Sequence, residues 1–350
     1  MDNKITKSRL SDFLAYEWIL MLIIAIASIV VWELGYAIGA VKLTPGQEFK
    51  YYYDSTIVVE NNREMQARIL NQNTFSFDIM KFGNETLSEQ NYVLADRLSI
   101  QEGDVIFTDI LGIDEVDEQT KEPKTVRAKS LIDGYKFCIG SLDQMIYDAK
   151  IYLTKNFFVG EIYSQIENEV NNKEQLPALS ELLLGGSTDS ERILSSIVDQ
   201  KVEKMFLKRN KDDNRFREQS ALKKGIEFEK QRIIKLCENV LFFEEFIKSN
   251  QDALFEYTRY GQSNSEFAKE EKTKNIKRFG KETEIFGIKI GSLENGGEFS
   301  NIMRLANPKD PNNVVDGIVL MAFDFIKYQP DLQFESLSFV CSTIKMFSEQ

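Results

Sequence analysis

Two short stretches of the sequence end in side chains that suit a hydroxyl-rich ligand. Tyr53 and Asp54 end the aromatic run KYYYD, and Thr108 and Asp109 end the apolar run DVIFTD. A tyrosine ring can stack on the face of a sugar, and a carboxylate can accept hydrogen bonds from sugar hydroxyls. The competing interpretation is structural: the aspartates cap helices that follow, and the tyrosine is a half-buried strand residue. The sequence leaves both interpretations open.

The composition excludes several kinds of catalytic and metal site. The 350 residues include no histidine, which excludes Ser-His and Cys-His nucleophile pairs and zinc sites built on histidine. The three cysteines, Cys138, Cys237 and Cys341, are widely spaced and form no CxxC motif. Such a sparse, odd set predicts buried thiols rather than a metal site or a disulfide framework.

Net charge and glycine spacing exclude two further classes of partner. The net charge of −12 opposes binding to nucleic-acid phosphate, and the most basic stretch, 208–217, is interrupted by Asp212 and Asp213. The glycines form neither a GxGxxG motif nor a P-loop, so no nucleotide cofactor is indicated. Carboxylates are plentiful, but a glycosidase needs two at a defined separation, which a sequence does not show. We therefore expect a protein without catalysis, cofactor or metal.

An alternating strand and helix pattern places the two polar pairs. The predicted strands cover 49–59, 75–82 and 103–110, and the predicted helices cover 61–70 and 88–100. This β-α-β-α-β order predicts a parallel sheet with helices on its faces. Ligands of open α/β sheets bind outside the carboxyl ends of the strands. Tyr53, Asp54, Thr108 and Asp109 are therefore expected at one edge of the sheet.

The middle of the chain, from about 161 to 250, has mainly helical spacing. Two long helices are predicted at 190–209 and 226–248, with apolar residues on one face and mixed charges on the other. We interpret these charges, Glu229 among them, as a solvated face. The remaining segments are predicted to contain both helices and strands. They are a helix at 141–158, strands at 254–260 and within 285–297, a lysine-rich loop or surface helix at 261–278, and a helix or strand at 314–328.

An apolar segment lies near the N-terminus. The 15 residues between Glu17 and Glu33 carry no charge, and apolar residues continue on both sides. A helix over residues 13–41 is long enough for the roughly 30 Å hydrocarbon core of a bilayer. Trp18 and Trp32 would then anchor its two ends at the interfaces. The sequence therefore predicts one transmembrane helix.

The flanks of this segment predict its orientation. Residues 1–12 contain Lys4, Lys7 and Arg9, and a basic N-terminal flank favours a cytoplasmic stub with the remainder of the chain outside. We expect a single-pass protein of the cell membrane with an extracellular domain over residues 48–350. Small residues around Gly39 also resemble a signal-peptidase site, so cleavage stays open as an alternative.

Several stretches resemble extracytoplasmic solute-binding proteins of sugar ABC transporters. NYVLADRLSIQEGDVIFTD, at 91–109, resembles their second helix and third strand; IFGIKIGSL, at 285–293, and VVDGIVLMAFDFIKYQ, at 314–329, resemble their later return segment. The N-terminal layout is similar to that of uncharacterised single-span proteins of Gram-positive bacteria related to this group. The resemblance implies a two-lobed, periplasmic-binding-protein-like α/β fold of type II with a ligand cleft between the lobes and a helix-rich insert at about 161–250.

Two departures from that family bear on function. A transmembrane helix replaces the lipidated cysteine, and the only two tryptophans lie in the apolar segment rather than in a sugar cleft. The resemblance implies capture of a carbohydrate or another small solute for an ABC permease, by closure of a cleft. The alternative is a non-catalytic scaffold of the cell envelope, whose helical middle and lysine-rich flank, Lys269 to Lys281, form a partner surface.

Overall fold

The chain divides into two compact units, Met1–Thr44 and Pro45–Gln350. The computed structural model describes residues 18–39, 48–54, 56–59, 81–86, 104–110, 140–157, 174–184, 190–257, 266–297, 303–305, 317–322 and 334–348, with a few single residues and pairs between these ranges. The predicted helices at 61–70 and 88–100 and the third cysteine, Cys138, lie outside the described residues.

The first unit contains helix α1, Trp18–Gly39. Every described side chain between 18 and 33 is exposed, and the apolar ones lie on all sides of the helix. Trp18 and Trp32, the two predicted anchors, are 47% and 75% exposed. The predicted range 13–41 extends beyond α1 at both ends. Within the described residues, no helix reaches the combination of length and apolarity that a membrane crossing requires.

The second unit is built on a mixed six-stranded sheet. Its strands are β1 Glu48–Tyr53, β3 Lys81–Thr86, β4 Val105–Asp109, β5 Leu254–Tyr257, β6 Glu284–Lys289 and β8 Ile318–Ala322, in the order β3-β1-β4-β8-β6-β5. The first three are parallel, and each later neighbour is antiparallel to the one before it. Strands β2 Ile57–Val59 and β7 Met303–Leu305 form a separate antiparallel pair.

The predicted α/β class is confirmed and the first three strands are parallel as predicted, but the sheet as a whole is mixed and the strand boundaries are shifted. The segment 49–59, predicted as a strand or a strand that runs into a turn, is a strand, a turn and a second short strand, because the chain turns after Tyr53 and the amide of Ile57 donates to the carbonyl of Asp54. The strand predicted over 75–82 overlaps only the first two residues of β3. Aromatic and β-branched residues identified the strands, but they did not identify where each strand enters the sheet.

Helices pack around this sheet. They are α2 Leu142–Phe157, α3 Leu179–Leu184, α4 Ser190–Arg209, α5 Gln219–Ser249, α6 Glu266–Phe279 and α7 Glu335–Ser348, joined by short 3-10 turns at Asn214–Phe216, Gln251–Ala253 and Ile290–Ser292. The helices predicted at 141–158, 190–209 and 226–248 are confirmed, and the lysine-rich segment contains a helix. The segment at 314–328 contains a strand, and α7 was not predicted.

Aromatic rings join the parallel strands to the C-terminal helix. Phe49, Tyr51 and Tyr53 alternate along β1 and are buried on one face of the sheet. Phe339 of α7 stacks on Phe49, with ring centroids 5.0 Å apart, and approaches Tyr51 at 6.1 Å. Tyr52, on the other face, is also buried. Both faces of β1 are thus covered, as expected of a parallel strand.

Candidate functional site

The structure brings three of the predicted site residues together at the carboxyl edge of the parallel strands. Strands β1 and β4 are neighbours, with Tyr53 opposite Phe107. Beyond that pair, the hydroxyl of Thr108 donates to Asp54 Oδ2 at 3.0 Å, and the amide of Asp54 donates to the carbonyl of Phe107 at 2.9 Å. Asp109 follows directly and, like Asp54, is half-buried. The edge therefore presents two carboxylates on adjacent strand ends.

Tyr53 differs from the half-buried Asp54 and Asp109 and, like Thr108, has no exposed surface. Its side chain is fully buried, stacks on Phe107 with centroids 5.7 Å apart, and meets Tyr51 edge-on at 5.6 Å. Burial raises the pKa of its hydroxyl far above the usual range. Stacking on a sugar needs an exposed ring face, so the ligand contact predicted for Tyr53 does not fit its position. Tyr53 is a core residue because β1 is covered on both faces.

The strand order places a topological switch point at this edge. After β1 the sheet extends to β3 on one side, and the chain then crosses to add β4 on the other side of β1. The direction of strand addition therefore reverses between β1 and β4. Such a switch point, at the carboxyl ends of parallel strands, is where ligands of open α/β sheets bind. Asp54 and Thr108 lie at that point.

The structure also tests the capping interpretation of Asp54. The residues after Asp54 form a turn into β2 rather than a helix, and the Asp54 carboxylate accepts from Thr108 on the neighbouring strand. Asp54 therefore joins two strand ends instead of capping a helix. The residues that follow Asp109 and Ile110 lie outside the described part of the chain.

A pocket of about 240 Å³ lies at the opposite edge of the sheet. The strand register shows this. Asp109, at the carboxyl end of β4, pairs with Ile318 of β8, and the next residue of β8, Val319, pairs with Lys289 at the end of β6. The start of β6 therefore lies at the opposite edge of the sheet. There the amide of Ile285 donates to the carboxylate of Asp143, which lines the pocket, at 2.7 Å. Helices α2, α5 and α6 and residues 175–178 form its walls. The sequence interpretation did not find this pocket.

The two carboxylates in the pocket wall are both neutralised. Glu244 accepts from Lys150 Nζ at 2.7 Å through one oxygen and from the amide of Leu179 at 2.9 Å through the other. Asp143 accepts from the backbone amide of Ile285 and also lies 3.3 Å from Lys281 Nζ. Burial raises the pKa of Asp143 by more than the charge of Lys281 and its hydrogen bonds lower it. These side chains hold the pocket wall together.

Glu229 corrects the interpretation of the charged face of α5. Its side chain is buried and lies between Arg232, at 2.9 Å, and Arg209 of α4, at 3.2 Å. Burial alone would raise its pKa, but the two guanidinium groups hold the pKa at about 2. Helix α4 packs on this side of α5, so a charge that looked solvated in the sequence is an internal ion pair joining two helices.

The cysteines behave as predicted where they are described. Cys237 and Cys341 are free and buried, and burial raises the pKa of each thiol to about 12. Among the described residues, no group of three or more histidine, cysteine, aspartate or glutamate side chains is arranged to hold a metal ion.

Comparisons with known proteins leave the function to the geometry of these sites. No protein-family model, no curated protein and no solved structure matches this chain. The interpretation of function therefore rests on the strand edge, the pocket and the exposed apolar helix.

Proposed function

We propose that this protein is a membrane-anchored extracellular solute-binding protein. It captures a carbohydrate or another small solute at the carboxyl edge of β1 and β4 and presents it to an ABC permease by closure of a cleft. The two-lobed type II arrangement is part of this proposal. The observation that carries it is the pairing of Asp54 with Thr108 at the point where the strand order reverses.

The chemistry of this edge favours a ligand with several hydroxyl groups. A carboxylate is an acceptor with about four acceptor positions, enough for Thr108 and ligand hydroxyls together. Asp54 and Asp109 end adjacent strands but alternate to opposite faces of the sheet, Asp54 with Thr108 and Asp109 with Phe107, so a ligand that contacts both must reach across the edge. Thr108 fixes Asp54 before any ligand arrives, which reduces the entropy lost on binding. Tyr53 supports the site from the core and does not contact the ligand.

The exposed side chains of α1 support the membrane anchor. The described helix α1 does not by itself meet the requirement for a membrane crossing, so the proposed anchor is the longer predicted segment 13–41, whose exposed apolar side chains at 18–33 gain free energy when a bilayer covers them. The basic residues of 1–12 favour a cytoplasmic stub. A cysteine placed at exposed Gln251, in full-length protein in intact cells, tests the orientation. Labelling by a membrane-impermeant maleimide without lysis supports the extracellular domain, and labelling only after lysis contradicts it.

The ligand test uses full-length protein in lipid nanodiscs and a panel of oligosaccharides, monosaccharides, amino acids and peptides. We expect one class to raise the unfolding temperature. Asp54→Asn and Asp109→Asn should each weaken its binding about tenfold, because a charged acceptor becomes a neutral one. Asp252→Asn, a change of the same kind at an exposed residue beside β5, three strands away from β4 in the sheet, should leave the affinity unchanged.

Two results would contradict the proposal: folded protein that binds nothing from the panel, or binding that is insensitive to both edge substitutions. The first would favour the scaffold function. One feature of α6 fits that alternative, because Ile276 is 50% exposed on a lysine-rich helix. Several of those lysines already have partners, however: Lys272 pairs with Glu282 at 3.7 Å, and Lys281 pairs with Glu256. Crosslinking in membranes that recovers a constitutive partner without solute would support the scaffold.

A further inference from the structure

The pocket at the amino edge of the sheet contains an arginine, Arg278, that forms no ion pair with a carboxylate of the described residues. Arg278, near the end of α6, donates through Nη1 to the side-chain oxygen of Gln144 at 2.5 Å. Its guanidinium carbon lies 5.0 Å from the ring centre of Tyr147 and 5.9 Å from that of Phe279. Within the described residues, no carboxylate forms an ion pair with Arg278, and its buried Nε has no hydrogen-bond acceptor.

The other charged side chains in the pocket wall are paired or exposed, unlike Arg278. Glu244 is paired with Lys150, and Asp143 is paired with Lys281, so the pocket's acids are already neutralised. Lys248, also in the wall, has only an exposed pair with Glu245 at 3.9 Å, which water and salt weaken. Counted over the lining residues, Lys150, Lys248 and Arg278 exceed the two carboxylates by one positive charge, in a chain whose net charge is −12.

We propose that this pocket binds a small organic carboxylate, and that Arg278 is its principal contact. A guanidinium offers two parallel N–H donors, which match the two oxygens of a carboxylate. Gln144 and Tyr147 hold the guanidinium in place in the absence of ligand, so little side-chain freedom is lost on binding. The two terminal nitrogens then donate to the ligand: Nη2 through one N–H, and Nη1 through the N–H that it does not give to Gln144.

The charges of the lining favour a carboxylate over a phosphate. Lys150, Lys248 and Arg278 exceed Asp143 and Glu244 by one positive charge around the same space of about 240 Å³, and one excess charge matches a monoanion better than a dianion. The aromatic rings of Tyr147 and Phe279 give the ligand's carbon atoms an apolar contact beside the charged group. This site is separate from the strand edge, so the proposal does not depend on solute capture there.

The test is a titration of full-length protein in nanodiscs with acetate, lactate, benzoate and glutamate. Sodium chloride and phosphate at equal ionic strength are the comparison arms, so that screening is matched. Binding is followed by the nitrogen and proton shifts of the Arg278 Nε–H group, assigned with Arg278→Lys, and by calorimetry. We expect at least one carboxylate to shift this resonance saturably, and chloride to leave it unchanged.

Substitutions distinguish the contribution of the Arg278 guanidinium to the affinity from that of positive charge in general. Arg278→Gln and Arg278→Lys should each weaken the carboxylate affinity about tenfold or more, because both remove the two-donor fork. Lys277→Gln, on the same helix, removes an exposed charge of the same sign and should change the affinity less than twofold. Circular dichroism checks that each variant is folded.

Three outcomes would overturn the proposal. One is a panel in which no carboxylate shifts Arg278. Another is a response to phosphate alone, or an equal response to chloride. The last is carboxylate binding by calorimetry that Arg278→Gln and Arg278→Lys leave intact. None of these outcomes bears on Asp54 or Asp109, whose ligand is tested separately with the strand-edge variants.

Discussion

Two arginine sites on the helical side of the molecule show opposite arrangements. Arg232 and Arg209 converge on Glu229, and both carboxylate oxygens are bonded to guanidinium nitrogens at 2.9 to 3.3 Å. Arg278 instead meets an amide oxygen and two aromatic rings, without a carboxylate among the described residues. At the first site the carboxylate of Glu229 pairs with both arginines, whereas at the second site the guanidinium of Arg278 lies beside a cavity.

The difference separates structural from functional charge. A buried carboxylate between two arginines is costly to break, because removal of one partner leaves a buried charge without compensation. An arginine held by neutral groups contributes little to folding and keeps its electrostatic attraction for an incoming anion. Removal of charge should therefore reduce stability at the Glu229 site and reduce binding at the Arg278 site.

Substitution of Glu229 should have the largest effect on stability. Glu229→Ala leaves Arg209 and Arg232 without their shared carboxylate, and we expect a loss of about 3–5 kcal/mol in the free energy of unfolding. Urea unfolding followed by circular dichroism measures it. Glu227→Ala, an exposed change two residues earlier on α5, is the control and should cost well under 1 kcal/mol. Equal losses for the two variants would show that Glu229 is not a structural charge.

Acid should remove the same contribution without a mutation. The pKa of Glu229 is about 2 in the folded protein and 4.5 in the unfolded reference, so its stabilisation is present above about pH 5 and is lost as the pH falls towards 2. That shift corresponds to about 3 kcal/mol. Unfolding free energies from pH 7 to pH 2 measure it against Glu229→Gln. A variant profile as steep as that of the unsubstituted protein would contradict the assignment.

Lys150 tests whether a paired charge in the pocket behaves like the Glu229 site. Lys150→Met leaves Glu244 with only the amide of Leu179, and we expect a loss of about 2 kcal/mol because the pair is mostly buried. Thermal and urea unfolding give the value. A negligible loss would mean that water compensates this pair, and that the walls of the pocket are less rigid than the hydrogen bonds indicate.

Arg278 should show the smallest stability effect. Arg278→Gln removes one hydrogen bond and two cation–ring contacts, but it also removes the buried Nε–H that lacks an acceptor, so we expect a net loss of about 1 kcal/mol. The same urea series measures it beside Glu229→Ala. A loss as large as that of Glu229→Ala would remove the distinction between the two arginine sites and make Arg278 a structural residue.

The sequence predicted the strand edge well because local patterns define it. A buried strand reads as a continuous apolar run, and the polar residue that ends the run lies at the sheet edge, which brought Asp54, Thr108 and Asp109 together correctly. The contact predicted between the Tyr53 ring and a ligand assumed that one face of the strand is exposed. Tyr53 is buried instead, because β1 is covered on both faces. Which faces are covered depends on α7, whose position the sequence did not reveal.

The pocket could not be predicted for a different reason. Its wall combines Asp143, Gln175, Glu244 and Arg278, which come from four separate parts of the chain. Each is an ordinary charged or polar residue in its own helix or loop, and no spacing connects them. Glu229 was misinterpreted for the same reason: its partner Arg209 belongs to another helix, and only the packing of α4 on α5 shows that the carboxylate is internal.

The position of β8 has a consequence for how the protein is made. Strand β8 lies between β4 and β6, and the aromatic face of β1 is covered by α7, which ends at Ser348. At 5–20 residues per second, roughly 10 to 40 seconds separate the synthesis of β4 from that of β8. During that interval the nascent chain presents an unpaired β4 edge and uncovered aromatic rings, both of which favour aggregation. Synthesis of β8 and α7 therefore ends this exposure of the β4 edge and of the aromatic face of β1.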